Sequence, residues 1–248
     1  MSNTRLIFGF HAITSRLRQN PKSVKEIFLD SSRRDQRARD LIKLTETQKI
    51  QLILCDGARL STMLGGTSHQ GVVANIDTTC NHIDIEEVLA NLTEPALFLI
   101  LDGIQDPHNL GACLRVADAF GVTAVISPKD RSVGLTATVY KVASGAADSV
   151  PYIVVTNLAR TLRKLKENGI WIIGTNSGVE NKLPSLKIDG SVAWVLGAEG
   201  RGMRRLTRET CDQLISIPML GGVESLNVSV SAGICLFETY RQRTNNEG

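Results

Sequence analysis

Six short apolar runs between residues 96 and 218 set the fold class of most of this chain. They are ALFLILD (96–102), TAVIS (123–127), PYIVV (151–155), IWIIGT (170–175), VAWVLG (192–197) and QLISIP (213–218). A short strand that is apolar at consecutive rather than alternate positions is covered on both faces, which is the habit of parallel sheets. Helical patterns occupy the intervals, at Asn109–Phe120, Ala137–Ala143, Leu158–Asn168, Arg204–Thr210 and Asn227–Gln242. The expectation is α/β: a parallel sheet with helices on both faces.

A smaller α/β unit precedes this sheet. Helices are expected at Ala12–Arg18 and Asp35–Thr47, and strands at Val24–Asp30, Ile50–Cys55 and Gly71–Ile76. Between the two lies TTCNHIDIEEVLANLTEP, which carries four acids and no Lys or Arg, with a short helical pattern at Ile85–Leu92. It reads as a linker, giving a division into 1–77, 78–95 and 96–248.

Charge follows the same division. Residues 1–77 hold 12 Lys and Arg against 7 Asp and Glu, although the whole chain is only +3. A basic first segment fits a nucleic-acid footprint. The run Arg33, Arg34, Arg37 and Arg39 is interleaved with Asp35 and Asp40, so a solvated helix face explains it equally well. Aromatic residues make up 4% of the chain, which argues against a base-stacking platform. The five cysteines are scattered, with no CxxC pair and no His/Cys cluster at metal-ligand spacing. They read as reduced thiols of a cytoplasmic protein, with no metal expected. The N-terminus lacks the apolar core of a signal peptide, and Ala96–Leu101 falls far short of the roughly 20 residues of a membrane span. No membrane partner is expected.

In open parallel sheets, ligands sit beyond the carboxyl ends of strands. Three such places carry chemistry-bearing residues. After the first long strand, NLGACLR (109–115) opens a helix, with Asp106, Pro107 and Asn109 reading as a turn and cap. Arg115 could there do no more than pair with Asp118. After VAWVL, GAEGRGM (197–203) places three glycines in six positions, a tight turn where backbone meets ligand or neighbour. Glu199 within it is either a turn residue or an acceptor for a partner loop or a cationic ligand. The loop is not GxGxxG, and no acid follows at dinucleotide-binding spacing, which counts against a nicotinamide oxidoreductase. After QLISIP comes MLGGVESLNVSVSAG, where Ser225 or Asn227 can cap the last helix.

Together NLGACLR, LGAEGRGM and IPMLGGVESLNVSVSAG resemble, in order, the three motifs of the SpoU/TrmH group of SPOUT-class RNA ribose 2'-O-methyltransferases. The likeness covers 96–243. The first segment, with GFHAITSRL (9–17) and HQGVVA (69–74), is similar to the group's L30-like RNA-binding domain. The resemblance implies a C-terminal trefoil knot, a homodimer and S-adenosylmethionine as cofactor. It assigns the cofactor to Thr175, Leu196, Gly197, Glu199, Gly200, Ile217, Met219, Ser225, Leu226 and Asn227. It gives Arg115 the central catalytic role, gripping the phosphate beside the target ribose. Asn109 then positions that ribose, Asn227 or Ser225 holds the loops, and Glu199 locks the site. Arg16, Arg18, Arg33, Arg34, Arg37 and Arg39 are the expected RNA contacts. The substrate implied is a guanosine in the peptidyl-transferase region of 23S ribosomal RNA. Transfer RNA as target and a non-catalytic RNA-binding protein are the alternatives; the full set of motifs speaks against the latter.

Overall fold

A computed structural model describes residues 4–65, 69–77, 84–92, 95–198 and 200–245, together with the backbone but not the side chain of Gln19. The chain divides into two compact units, Met1–His82 and Ile83–Gly248.

The first unit is a four-stranded sheet in the order β1-β4-β2-β3, with β1 at Thr4–Phe8, β2 at Val24–Asp30, β3 at Gln51–Cys55 and β4 at Val72–Asp77. β2 and β3 run parallel, and β4 lies antiparallel to both β1 and β2. Helices α1 (Phe10–Gln19) and α2 (Gln36–Gln48) bring Ile13, Leu17 and Leu41 onto one face, over Ile27 and Ala74. Helix α3 (Gly57–Met63) brings Leu60 onto the other, against Phe28 and Val73. Asp35 and Asp56 cap α2 and α3, each accepting from a backbone N–H three residues on. β1 and α3 were not expected from sequence. Both are short, so the periodicity that marks longer elements has no room to build up.

The second unit is a six-stranded parallel sheet in the order β10-β8-β9-β5-β6-β7. Its strands are β5 Leu97–Asp102, β6 Ala124–Pro128, β7 Tyr152–Val155, β8 Trp171–Thr175, β9 Val192–Gly197 and β10 Gln213–Ile215. The unbroken apolar runs have the expected cause. Leu97, Leu99 and Leu101 of β5 enter one core, while Phe98 and Ile100 enter the other. The first core is closed by α5 (Pro107–Ala119), α6 (Ala137–Ala143), α7 (Ala146–Ser149) and α10 (Val228–Asn245). The second is closed chiefly by α8 (Leu158–Glu167). α9 (Arg205–Thr210) follows the loop after β9.

The stretch read as a linker is only partly that. Its described part contains α4 (Ile85–Ala90), whose Ile85 is 6% exposed in the second core and whose Glu86 pairs with Lys164 of α8. Val88, Leu89 and Leu92 pack against the same core, so an acidic, turn-rich composition concealed an apolar helix face. Among the described residues no helix is long and apolar enough to cross a membrane.

Candidate functional site

The carboxyl ends of β8, β9 and β10 lie side by side, with Thr175 paired to Ile215 and Gly174 to Val195. The loops leaving them enclose a cavity of about 300 Å³, within the usual size range of small-molecule sites. Of the residues the resemblance marks for the cofactor, Thr175, Leu196, Gly197, Gly200, Ile217, Met219, Ser225 and Leu226 line it. Asn227 is exposed and does not line it, and Glu199 lies outside the described residues.

The loop after β9 is held by backbone. Ala198 and Gly202 exchange both hydrogen bonds, at 3.2 and 2.8 Å. A Cβ on Gly197 would lie 2.1 Å from the Gly202 carbonyl carbon, so only glycine permits this closure. The neighbour that demands this glycine is the protein itself. Gly200 and Gly202, with φ of +75° and +65° and nothing within 4 Å of their missing Cβ atoms, are left-handed residues of the turn.

The far end of the loop is pinned by Asp102, the last residue of β5, whose side chain is fully buried. Its carboxylate accepts from the Arg204 backbone N–H at 2.8 Å and from Arg204 Nε at 2.6 Å. Sequence reading passed over this pair, because a carboxylate at a strand end gives no sign of a partner 102 residues away.

The first and third motifs meet directly. Asn227 Nδ2 donates to Asn109 Oδ1 at 2.8 Å. Asn227 Oδ1 accepts from the Ser229 N–H at 2.9 Å, capping α10. Asn109 is 9% exposed and sits within α5 as part of this strut; the cap of α5 is Asp106, with Pro107 as the first helical residue. Ser225 is exposed on the cavity wall and does not cap α10.

Arg115 is exposed and has no hydrogen-bond or ionic partner among the described residues. Asp118, its expected partner, accepts from Ser149 Oγ at 2.6 Å. Six residues of α-helix put Arg115 about 9 Å along the axis from Asn109. It does not line the cavity.

The lining suits a nucleoside carrying an amino-acid arm. Ile217, Met219 and Leu226 offer apolar walls, Thr175, Ser225 and Ser231 offer hydroxyls, and Glu224 offers a carboxylate for an ammonium or a ribose diol. Glu224, Ser231, Arg201 and Arg208 were missed from sequence, since only the folded loops bring them to the cavity. Cys211 is no nucleophile: burial pushes its thiol up to about 12. Among the described residues no group of three or more His, Cys, Asp or Glu side chains could hold a metal ion.

The arginines expected to meet RNA occupy different settings. Arg16 is 7% exposed and its Nε donates to the buried Ser23 Oγ at 2.8 Å, so it serves the interior of the first unit. Arg33 is half-buried, bonded to Asp35 and to the Gln70 carbonyl, with its guanidinium over the Phe10 ring. Arg39 bonds Gln36 and the Arg34 carbonyl, while Arg18, Arg34 and Arg37 are exposed.

Residues 96–237 match the SpoU rRNA Methylase family, and residues 6–79 match the family described as RNA 2'-O ribose methyltransferase substrate binding. The chain is 63% identical over 248 residues to the Nitrosomonas europaea 23S rRNA (guanosine-2'-O-)-methyltransferase RlmB, covering 100% of this chain and 95% of that protein. It is 51% identical over 243 residues to the protein of the same name from Escherichia coli, covering 97% and 100%. The crystal structure of the SpoU methyltransferase AviRb from Streptomyces viridochromogenes in complex with the cofactor AdoMet shares the fold. It superposes with a TM-score of 0.74 at 22% identity, over 98% of this chain and 92% of that one. The chain belongs to the SpoU rRNA methylase family.

Proposed function

We propose that this chain transfers a methyl group from S-adenosylmethionine to the ribose 2'-hydroxyl of a guanosine in the peptidyl-transferase region of 23S rRNA. One observation carries the reading: the second and third family motifs enclose one cavity at the strand ends, and an Asn–Asn strut ties that cavity to the first motif.

S-adenosylmethionine supplies an activated methyl group on a sulfonium. The chain's own residues bind, orient and exclude water. Apolar Ile217, Met219 and Leu226 take the flat base, and the hydroxyls and Glu224 take the polar edges. Glu199 belongs to the same proposed set, as a lock on the loop.

A ribose hydroxyl is a weak acid and needs help to lose its proton. Protonated arginine has no lone pair to act as base. Arg115 therefore acts by gripping the adjacent phosphate in a bidentate pair and orienting the hydroxyl, with the proton leaving to phosphate or water. Asn109 and Asn227 keep the first and third motifs in register.

The division of labour follows the family. Residues 1–77 bind RNA through Arg18, Arg33, Arg34, Arg37 and Arg39, 78–95 join the units, and 96–248 carry the chemistry. Arg16 is left out of the RNA set because it is buried. The C-terminal threading is a trefoil knot, and the enzyme works as a cytoplasmic homodimer. Exposed Phe237 and Tyr240 of α10, grouped with Phe120 after α5, offer the second copy an apolar face.

The test is label transfer from S-adenosylmethionine to 23S, 16S and transfer RNA by the purified chain. Label in 23S rRNA alone is expected. Label in transfer RNA alone keeps the chemistry and overturns the target. Failure to bind the cofactor overturns the reading in favour of a non-catalytic RNA binder.

A further inference from the structure

Resting on the function just proposed, the geometry points to a phosphate-binding rim beside the cavity. It is formed by Arg201, Arg204 and Arg208 and holds the RNA backbone next to the target ribose. These residues belong to the second unit and not to the basic first segment that sequence marked for RNA.

Arg201 and Arg208 both line the cavity and are both exposed. Neither has an anionic partner among the described residues. Their neighbour Arg205 differs, being held by Glu209 at 3.0 Å. Arg204 is fixed from behind: its backbone N–H and its Nε both rest on the buried Asp102 carboxylate. The Arg204 side chain is 41% exposed, and its two Nη groups have no partner among the described residues. A planar cation locked at Nε with its outer donors exposed is preorganised to grip a phosphate. A free surface arginine would lose side-chain entropy in the same bond.

Two oxyanions could claim these guanidiniums: the carboxylate of the cofactor and the phosphates of RNA. The charge balance favours the second. S-adenosylmethionine carries a net positive charge, and only Glu224 among the described lining residues opposes the arginines. Arg204 is offset by Asp102, but two unpaired cations, Arg201 and Arg208, on the wall of a site for a cationic ligand repel it more than one carboxylate contact returns. A polyanion gains from all three.

The test compares the full-length chain with an Arg201→Ala/Arg208→Ala double variant and with Arg205→Ala as a control. Equilibrium binding of a 23S rRNA transcript is measured against KCl concentration, and S-adenosylmethionine binding is measured alongside. Each phosphate of a single strand that is no longer neutralised lowers the slope of log K against log salt by about 0.7. The double variant is expected to lose about 1.4 from the slope and to weaken RNA binding roughly tenfold or more, with cofactor Kd unchanged. Arg205→Ala leaves the slope within about 0.3 of the parent. Weakened cofactor binding at an unchanged salt slope assigns the arginines to the cofactor carboxylate and overturns the rim. An unchanged slope with unchanged cofactor binding also overturns it. Absence of methyl transfer by the unmodified chain overturns the proposed function instead, and the salt slope then decides the rim alone.

Discussion

The cavity loops of the second unit and the arginine-rich loop and helix start of the first both follow strand ends, yet they are held in shape by different means. Around the cavity the restraints are mostly backbone: Gly197 against Gly202, the paired Ala198 and Gly202 bonds, and the Arg204 N–H on Asp102. In the first unit they are side chains: Arg33 on Asp35, on the Gln70 carbonyl and over Phe10, and Arg39 on Gln36. A backbone closure in which a Cβ on Gly197 would fall 2.1 Å from the Gly202 carbonyl carbon cannot relax around an added methyl group. An exposed ion pair contributes only about 0–1 kcal/mol and re-forms in other geometries. A small ligand of one shape requires the first kind of construction. A polyanion that needs charge more than shape tolerates the second.

The sharpest way to break this contrast is at the one arginine proposed for chemistry. Arg115→Ala is expected to lower kcat roughly 1,000-fold or more, as loss of a key oriented donor does, with S-adenosylmethionine affinity unchanged. Single-turnover methylation and calorimetric titration read the two quantities, and lost cofactor binding would contradict the role. Gly197→Ala comes next. It should weaken cofactor binding about 100-fold, while tryptic fragments of the first unit remain as resistant as in the parent. Retained cofactor affinity would mean the loop closure is looser than its geometry implies.

Asn227→Ala removes both the cap of α10 and the strut to Asn109. A loss of about 1–2 kcal/mol in urea unfolding is expected, with kcat/KM falling about tenfold. An effect on stability without one on kcat/KM would reduce the strut to a simple cap. Smallest is Arg33→Ala, which deletes several half-exposed contacts. It should cost about 1 kcal/mol and change RNA affinity less than a single exposed Arg34→Ala does. The reverse order would make Arg33 a true phosphate contact.

What the sequence reveals follows from how local each feature is. The strands Val24–Asp30 and Val192–Gly197 and the helix Ala137–Ala143 occur at the expected residues, the strands marked by apolar runs and the helix by its spaced buried Val139 and Ala143. α7, of four residues, leaves no periodic trace. In the site, the glycines of 197–202 announce a turn, but whether they serve ligand or neighbour depends on residues met only after folding. Asp102 reads as an ordinary strand end until Arg204 arrives. Arg16 is the instructive miss. It stands three residues from Ile13 and beside Leu17, on the apolar stripe of α1, so helical spacing already placed it inside, away from Arg18.

The position of the methylated nucleotide separates the proposed activity from its alternatives. 23S rRNA methylated by the purified chain is mapped by reverse-transcription arrest at low dNTP and by nucleoside analysis. A single 2'-O-methylguanosine in the peptidyl-transferase region is expected. A methyl group on a base, or label in transfer RNA with 23S rRNA untouched, would contradict it.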